Sequence, residues 1–103
     1  MYNIIINHTS HNDIDSIYSF CCNINIEYAL KVKANILIAI NALLYFPYAT
    51  PIYLKIKDVI FRKKIVSVHY LIIFSIFQNL VIIHRVYDGR KKIKSTDLIN
   101  STI

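Results

Sequence analysis

Apolar residues recur with a helical period through the first half of the chain. After a short Ile-rich run at 2–7, which predicts a strand, the pattern predicts a helix of about three turns that begins at Asp13. Ser10 or Asn12 is expected to cap this helix, because short polar side chains accept hydrogen bonds from its first N–H groups. Its apolar positions follow the i, i+3, i+4, i+7 spacing: Ile14, Ile17, Tyr18 and Cys21.

A second, longer helix is predicted after Asn25. It should end near Phe46, because Pro47 disfavours the helical conformation of the residue before it. One apolar stripe along this helix is expected to face the core: Ala29, Val32, Ile36, Ile40 and Leu43. The short Asn-containing link between the two helices predicts a helical hairpin.

Beyond Pro51 the period changes from 3.6 to 2, the period of strands. The alternation predicts three strands: 53–66, 66–76 and 80–87. Asp58 marks a turn or bulge within the first of them, and Gln78-Asn79 is a two-residue hairpin turn before the last. The last strand is expected to end at Asp88-Gly89.

This element order predicts an α+β fold with an N-terminal strand, a two-helix hairpin and a three-stranded antiparallel meander. Both helices would cover one face of a mostly antiparallel sheet. With 103 residues the chain has room for one compact domain, expected at 1–92, followed by a C-terminal tail at 93–103. The adjacent Cys21-Cys22 pair closes no useful disulfide loop, and no signal peptide is visible at 1–7. A cytoplasmic protein is therefore expected.

Residues 65–83 allow a different interpretation. This run of 19 residues carries no formal charge and is close to the length of a membrane-spanning helix. However, it is rich in β-branched and aromatic residues and is divided by Gln78-Asn79, which favours two strands. A small single-span membrane protein is therefore kept as a minor alternative.

Positive charge is concentrated in the second half of the chain. Of the formal net charge of +6, residues 1–50 contribute −1 and residues 51–103 contribute +7. A basic half on a small apolar domain indicates a polyanionic partner such as nucleic acid, an acidic protein or a membrane surface. The simpler alternative is a solvated basic face that only maintains solubility.

Several stretches, in this order, resemble the RelE/ParE toxin family of type II toxin–antitoxin systems, the group that includes plasmid-stabilisation proteins. The resemblance covers about residues 2–92. The most specific stretch resembles the closing strand of plasmid-stabilisation toxins, Val81-Ile82-Ile83-His84-Arg85-Val86-Tyr87-Asp88-Gly89-Arg90. The others are Asp13-Ile14-Asp15-Ser16-Ile17-Tyr18, Glu27-Tyr28-Ala29, Leu43-Leu44-Tyr45-Phe46-Pro47, a strand with Arg62, and Tyr70-Leu71-Ile72-Ile73-Phe74.

The resemblance implies a cytoplasmic growth inhibitor that a cognate acidic antitoxin protein neutralises. RelE-like members cleave mRNA in the ribosome, whereas ParE-like members inhibit DNA gyrase and are not nucleases. Many relatives have His-Gly-Arg where this chain has Asp88-Gly89-Arg90, so the histidine acid is missing. We therefore expect a ParE-like gyrase inhibitor, with a RelE-like ribosome-dependent mRNA endonuclease as the alternative.

Only the endonuclease alternative requires catalytic residues. RNA cleavage through the 2′-hydroxyl needs proton transfer and cations that stabilise the phosphorane, and the candidates are Arg62, Arg85 and Tyr87. Strand alternation predicts that Arg85 and Tyr87 share one face and that His84 lies on the other. Alternatively, Tyr87 is a core aromatic residue and the arginines pair with Asp58 or Asp88.

Basic residues of the second half are candidates for binding nucleic acid or the target: Lys55, Lys57, Lys63, Lys64, Arg90, Lys91 and Lys92. Leu30, Leu37 and Leu44 of the helical hairpin are candidates for an antitoxin groove, or alternatively pack in the core of this chain. The histidines have no metal-ligand spacing, so neither a metal nor a cofactor is expected.

Overall fold

The computed structural model describes residues 1–67, 69–90 and 98, and gives an α+β fold with two helices and a five-stranded, mostly antiparallel sheet. The elements are β1 (Asn3–Ile6), α1 (His8–Cys22), α2 (Ile26–Ala42), a short 3-10 turn (Pro47–Ala49), β2 (Ile52–Ile56), β3 (Val59–Val66), β4 (Tyr70–Phe77) and β5 (Leu80–Asp88).

The strands lie in the order β1-β5-β4-β3-β2. Strands β2 to β5 form an antiparallel meander, and β1 pairs in parallel with β5, from Asn3 opposite Leu80 to Ile6 opposite Ile83. The parallel pair is possible because the helical hairpin carries the chain from β1 back across the sheet. The first and last strands of the described chain are therefore neighbours.

The meander has four strands, so the prediction of three is wrong. Lys57 and Asp58 form a two-residue turn between Ile56 and Val59, and Lys57 adopts a φ of 53°. Lysine seldom adopts a positive φ, so the sequence does not indicate a turn at Lys57. Asp58 is the one residue within 53–66 that indicates a division into two strands. The predicted second strand also begins later than expected, at Tyr70, because the chain reverses after Val66. The Gln78-Asn79 turn is confirmed, with Gln78 at a φ of 56°.

Helix α1 begins at His8, five residues before the predicted start. Its N-cap is Asn7, whose side chain accepts a hydrogen bond from the N–H of Ser10 at 2.9 Å, so the predicted caps Ser10 and Asn12 are wrong. The first turn of α1 is polar, and hydrophobic periodicity does not detect a helical segment without apolar positions. The second helix agrees with its prediction at its start, where Asn25 accepts from the N–H of Tyr28.

The main core lies between the two helices and the sheet face that they cover, here called the helix face. The predicted stripe of α2 is confirmed, since all of its members are buried: Ala29, Val32, Ile36, Ile40 and Leu43. They pack with Ile14 and Cys21 of α1 and with residues of the three central strands, among them Ile72, Phe74, Val81 and Ile83. Burial of each such Ile or Phe side chain contributes about 1.5–3 kcal/mol to folding.

The opposite side of the sheet, here called the far face, has a second, smaller cluster. Phe61 of β3 and Ile73 of β4 pack there with Leu98, which is fully buried. Leu98 belongs to the predicted tail 93–103, whose other residues lie outside the described part of the chain.

Beyond the end of β1, residues at the start of α1 form hydrogen bonds with the exposed edge of β5. The N–H of Asn7 and the hydroxyl of Ser10 both donate to the carbonyl of Ile83, at 3.2 and 2.9 Å. One helical turn further on, a carboxylate oxygen of Asp13 accepts from the N–H of Val86 at 2.9 Å. Side chains and backbone of α1 thus satisfy groups that a longer β1 would have bonded.

The single-span alternative places residues 65–83 in one helix, and that helix is not formed. These residues complete β3, form all of β4 and begin β5. Across the described part of the chain, neither helix is both long and apolar enough to cross a membrane.

Tyr70 connects the sheet to α1 inside the main core. Its hydroxyl lies 3.6 Å from the thiol sulfur of Cys21, and the residue is 7% exposed. Burial raises the pKa of the Tyr70 hydroxyl, and its hydrogen bond with Cys21 raises that pKa further. Tyr70 therefore keeps its proton in the folded protein at a pH where an unfolded tyrosine ionises.

Replacing Asn7 with Ala should lower the free energy of unfolding by about 1 kcal/mol, because the N–H of Ser10 loses its capping acceptor. Asn12→Ala is the matched control: Asn12 is exposed within α1, and its replacement should be neutral or slightly stabilising. Urea unfolding measures both. An equal loss in the two variants would contradict the assignment of Asn7 as the cap.

The Tyr70 hydroxyl should make the protein sensitive to alkali. An unfolded tyrosine ionises near pH ~10, whereas folded Tyr70 stays protonated, so stability present below that pH is lost as the pH rises toward the folded pKa. Tyr70→Phe should therefore lose less stability than wild type between about pH 10 and 12. Tyr45→Phe, altered at an exposed ring, is the control and should follow wild type. Identical pH profiles for all three proteins would refute the effect.

Candidate functional site

Arg85 of β5 is bound to Asp13 of α1 through both carboxylate oxygens. Its Nε donates to Oδ2 at 2.7 Å and its Nη2 to Oδ1 at 2.9 Å, and both side chains are mostly buried, at 19% and 14% exposure. The same carboxylate accepts from the backbone N–H of Val86. Two parallel charge-assisted hydrogen bonds hold a guanidinium in one orientation, so this pair fixes α1 against β5.

Arg85 also contacts Tyr87, with its Cζ 4.7 Å from the centre of the tyrosine ring. The two residues therefore lie side by side, as strand alternation predicts. Tyr87 is partly buried against the far-face cluster. The guanidinium of Arg85 thus contacts both a carboxylate and an aromatic ring. Its charge has a structural role, because it holds α1 and the side chain of Tyr87 against β5.

Arg62, the third candidate catalytic residue, lies elsewhere. It is opposite Phe74 in the β3–β4 pair and therefore projects on the helix face, while Tyr87 packs on the far face. Its Nη1 donates to the carbonyl of Thr50 at 2.6 Å, and its Cζ lies 5.0 Å from the ring centre of Tyr48. The fold does not bring Arg62, Arg85 and Tyr87 to one site.

His84 lies on the far face. Arg85 is opposite Ile73 of the far face and therefore starts from the same side of β5. The prediction that the two side chains project from opposite faces is wrong. Phe74 pairs with Ile83 but Ile73 pairs with Arg85, which makes His84 the extra residue of a β-bulge. The bulge interrupts the alternation on which the prediction depended. It places the His84 ring edge-on to Phe61, with ring centroids 5.0 Å apart.

Within the far face, His84 forms a close polar pair with Ser75. Its Nε2 lies 2.7 Å from the Ser75 hydroxyl, and the two residues are 1% and 7% exposed. The pair lines a cavity of about 280 Å³ together with Asp58, Phe77 and other residues of the strand ends. The only sequence signal for it is one serine in the middle of the apolar strand β4. The geometry is that of a buried hydrogen-bonded pair that satisfies two polar groups.

The predicted phosphate-binding lysines are divided between surfaces. Lys55 and Lys64 project on the helix side of the sheet, since their strand partners are Ile60 and Ile72. Lys63 projects on the far face, with its Nζ 5.7 Å from the ring centre of Tyr53, and Lys57 lies in the β2–β3 turn.

The ion pairs also differ from the predicted alternatives. Arg85 pairs with Asp13, whereas the exposed Arg90 pairs with Asp88 through both carboxylate oxygens, at 2.9 and 2.7 Å. The hydrogen bonds that Arg90 donates to the Asp88 carboxylate raise the pKa of Arg90 and keep it charged. Lys91 and Lys92, the remaining binding candidates, lie outside the described residues.

Asp13 and the loop after α2 are the features that sequence reasoning missed. Nothing local in the sequence indicates that Asp13 has a partner 73 residues away. The loop exposes three aromatic side chains, Tyr45, Phe46 and Tyr48. Aromatic exposure is not visible in a hydrophobic pattern, which predicts burial.

An open groove of about 580 Å³ runs between β1 and α2. Its lining is apolar apart from Asn3 and Asn41, and includes Leu37, Ile38 and Leu44. Of the predicted groove residues, Leu37 and Leu44 belong to it, whereas Leu30 is 55% exposed outside it.

Both cysteines are free thiols. Over residues 1–67, 69–90 and 98, no three side chains of His, Cys, Asp or Glu are grouped so that they could hold a metal ion.

No protein-family model matches the sequence, and no curated protein is significantly similar to it. Membership of the RelE/ParE family is therefore still a prediction that depends on the sequence stretches quoted above.

Asp13→Asn should destabilise the protein by about 2–3 kcal/mol, because a mostly buried guanidinium loses its counter-charge and β5 loses part of its edge bonding. Asp15→Asn is the matched control on the same helix. Asp15 is exposed, so its replacement should change stability by less than about 0.5 kcal/mol. Thermal and urea unfolding of both variants measure the difference, and equal effects would show that the Asp13–Arg85 pair does not anchor α1.

Proposed function

We propose that this protein is the growth-inhibiting toxin of a bacterial toxin–antitoxin pair of the RelE/ParE type. We further propose that it inhibits DNA gyrase and does not cut nucleic acid. The starting point is the ordered sequence resemblance over residues 2–92. The observed element order, a strand and two helices followed by an antiparallel meander, agrees in these coarse terms with the predicted order and supports the proposal.

The separation of Arg62 from Tyr87 is the observation that favours a gyrase inhibitor over a nuclease. A ribonuclease site needs its cations and its proton-transfer group around one phosphate, within hydrogen-bonding reach. Here Arg62 projects on the helix face and is bound to the carbonyl of Thr50, while Tyr87 packs on the far face. Arg85 is bound by Asp13, so its charge is already balanced.

The RelE-like alternative has one observation in its favour. Arg85 lies against Tyr87, 4.7 Å from the ring centre, so two of the three candidate residues are adjacent. In that alternative they would act on mRNA in the ribosome, and Arg85 would have to leave Asp13 to reach a phosphate. The cost of breaking a mostly buried ion pair makes this the second candidate.

The proposed partner is an acidic antitoxin. The charge of +7 on residues 51–103 would attract an acidic segment, mainly by speeding its approach. The groove between β1 and α2 offers apolar surface for such a segment to bury, with Leu37 and Ile38 more than two-fifths exposed at its rim. Burial in this groove would supply affinity that charge alone does not.

Pulse labelling after tightly controlled induction tests the proposed target. Thymidine incorporation should fall before amino-acid incorporation, because a gyrase inhibitor stops replication first. Tyr87→Phe should be as toxic as wild type, since the proposal gives its hydroxyl no chemical role, and its ring and packing are retained.

Two other results would count against the proposal. Amino-acid incorporation that falls first, with relief by Tyr87→Phe, would support the endonuclease instead. No change in either incorporation by folded protein would reject the toxin assignment.

A further inference from the structure

The loop between α2 and β2 presents aromatic rings to solvent in a fixed conformation. Tyr45, Phe46 and Tyr48 are 61%, 77% and 58% exposed. The loop is held from within, because Pro47 is buried and its carbonyl accepts from the hydroxyl of Thr50 at 2.7 Å. Three exposed aromatic rings within four residues on an ordered loop are typical of a binding surface.

Tyr48 is held between two neighbours. The guanidinium of Arg62 lies 5.0 Å from its ring centre, and the ring of Tyr2 meets it edge-on at 6.3 Å. Tyr45 and Phe46 lie within about 12 Å of it along the chain, since consecutive Cα atoms are about 3.8 Å apart. The Tyr48 ring therefore lies against the cation of β3, and the exposed rings of Tyr45 and Phe46 belong to the same loop.

Two further cations lie on the same side of the sheet as Arg62. Lys64 follows it by two residues on β3, which places the two Cα atoms about 7 Å apart. Lys55 lies on the neighbouring strand β2, opposite Ile60. We call these residues the aromatic–basic surface: Tyr45, Phe46, Tyr48, Lys55, Arg62 and Lys64.

The charge of this surface is not neutralised locally. Between Glu27 and Asp88 the sequence contains one acidic residue, Asp58, and eight Lys or Arg residues. In the described part of the chain the ion pairs are Arg85–Asp13 and Arg90–Asp88, so none involves the aromatic–basic surface. The surface therefore complements a polyanion that also carries flat apolar groups.

We propose that the aromatic–basic surface binds single-stranded DNA. Unpaired bases would stack on Phe46 and Tyr45, and phosphates would contact Lys64, Lys55 and the outer edge of Arg62. Single strands expose both base faces and phosphates, whereas duplexes hide the base faces and the acidic side chains of a peptide have no aromatic face to stack. The choice of DNA over RNA rests on the proposed function, because gyrase acts on DNA.

Fluorescence anisotropy with a labelled oligothymidine of about 15 nucleotides, a length in the range that small single-strand-binding folds cover, tests the surface. Affinity should fall as salt rises, because bound phosphates release counterions. Phe46→Ala should weaken binding about 10-fold, the loss expected for one stacked base. Lys64→Gln should reduce the slope of log K against log salt by about one phosphate contact.

Phe77→Ala is the matched control. Phe77 is equally aromatic and 64% exposed, but it lies at the β4–β5 turn and lines the far-face cavity. Its replacement should leave oligothymidine binding unchanged. Because all three altered side chains are at least partly exposed, circular dichroism and thermal unfolding should show folded variants.

Four results would overturn the proposal. The first is that Phe46→Ala binds oligothymidine as tightly as wild type does, and the second is that duplex DNA binds as tightly as the single strand. The other two are that a single-stranded RNA of the same length binds more tightly than oligothymidine, or that polyglutamate binds as tightly. The measurement uses purified protein without gyrase. Its failure would therefore leave the pulse-labelling result intact, and failure of the toxin proposal would leave oligonucleotide binding unaffected.

Discussion

The carboxylate of Asp13 connects the helical layer to the sheet. Strand β1 pairs with only the first four residues of β5, so the rest of that edge would lack hydrogen-bond partners. Asp13 accepts from the N–H of Val86 and from the guanidinium of Arg85, and Ser10 bonds the carbonyl of Ile83. Because an unsatisfied buried backbone group costs about 1–3 kcal/mol, the position of α1 is set by polar bonds as well as by packing.

This anchoring also determines which side chains are available for chemistry. Arg85 looks like a catalytic cation from sequence, but in the fold its charge is balanced by Asp13 and covered by Tyr87. The bulge at His84 brings that ring to the far face, where it bonds Ser75 and packs on Phe61. Polar residues of β5 are thus largely occupied with holding the sheet, whereas Lys55 of β2 is exposed and Lys63 and Lys64 of β3 are partly exposed.

Helices and turns that follow a regular sequence pattern are predicted well from the sequence. The buried stripe of α2, the start of that helix and the Gln78-Asn79 turn all follow from spacing and turn preference. The errors have local physical causes: a polar first turn hides the start of α1 at Asn7, and Lys57 takes a left-handed turn that its type rarely favours. For the candidate site, adjacency of Arg85 and Tyr87 was predictable from alternation. The Asp13 partner and the displaced His84 were not, because both depend on contacts between distant segments.

The pairing of β1 with β5 has a consequence for synthesis of the protein. Asn3 of β1 and its partner Leu80 of β5 are 77 residues apart in sequence, so they cannot pair until β5 has left the ribosome. At about 5–20 residues per second, the helical hairpin waits several seconds with its apolar stripe uncovered. Loops of that length close slowly and late. The apolar stripe of the helical hairpin can therefore be covered by the complete sheet only after β5 has been synthesised.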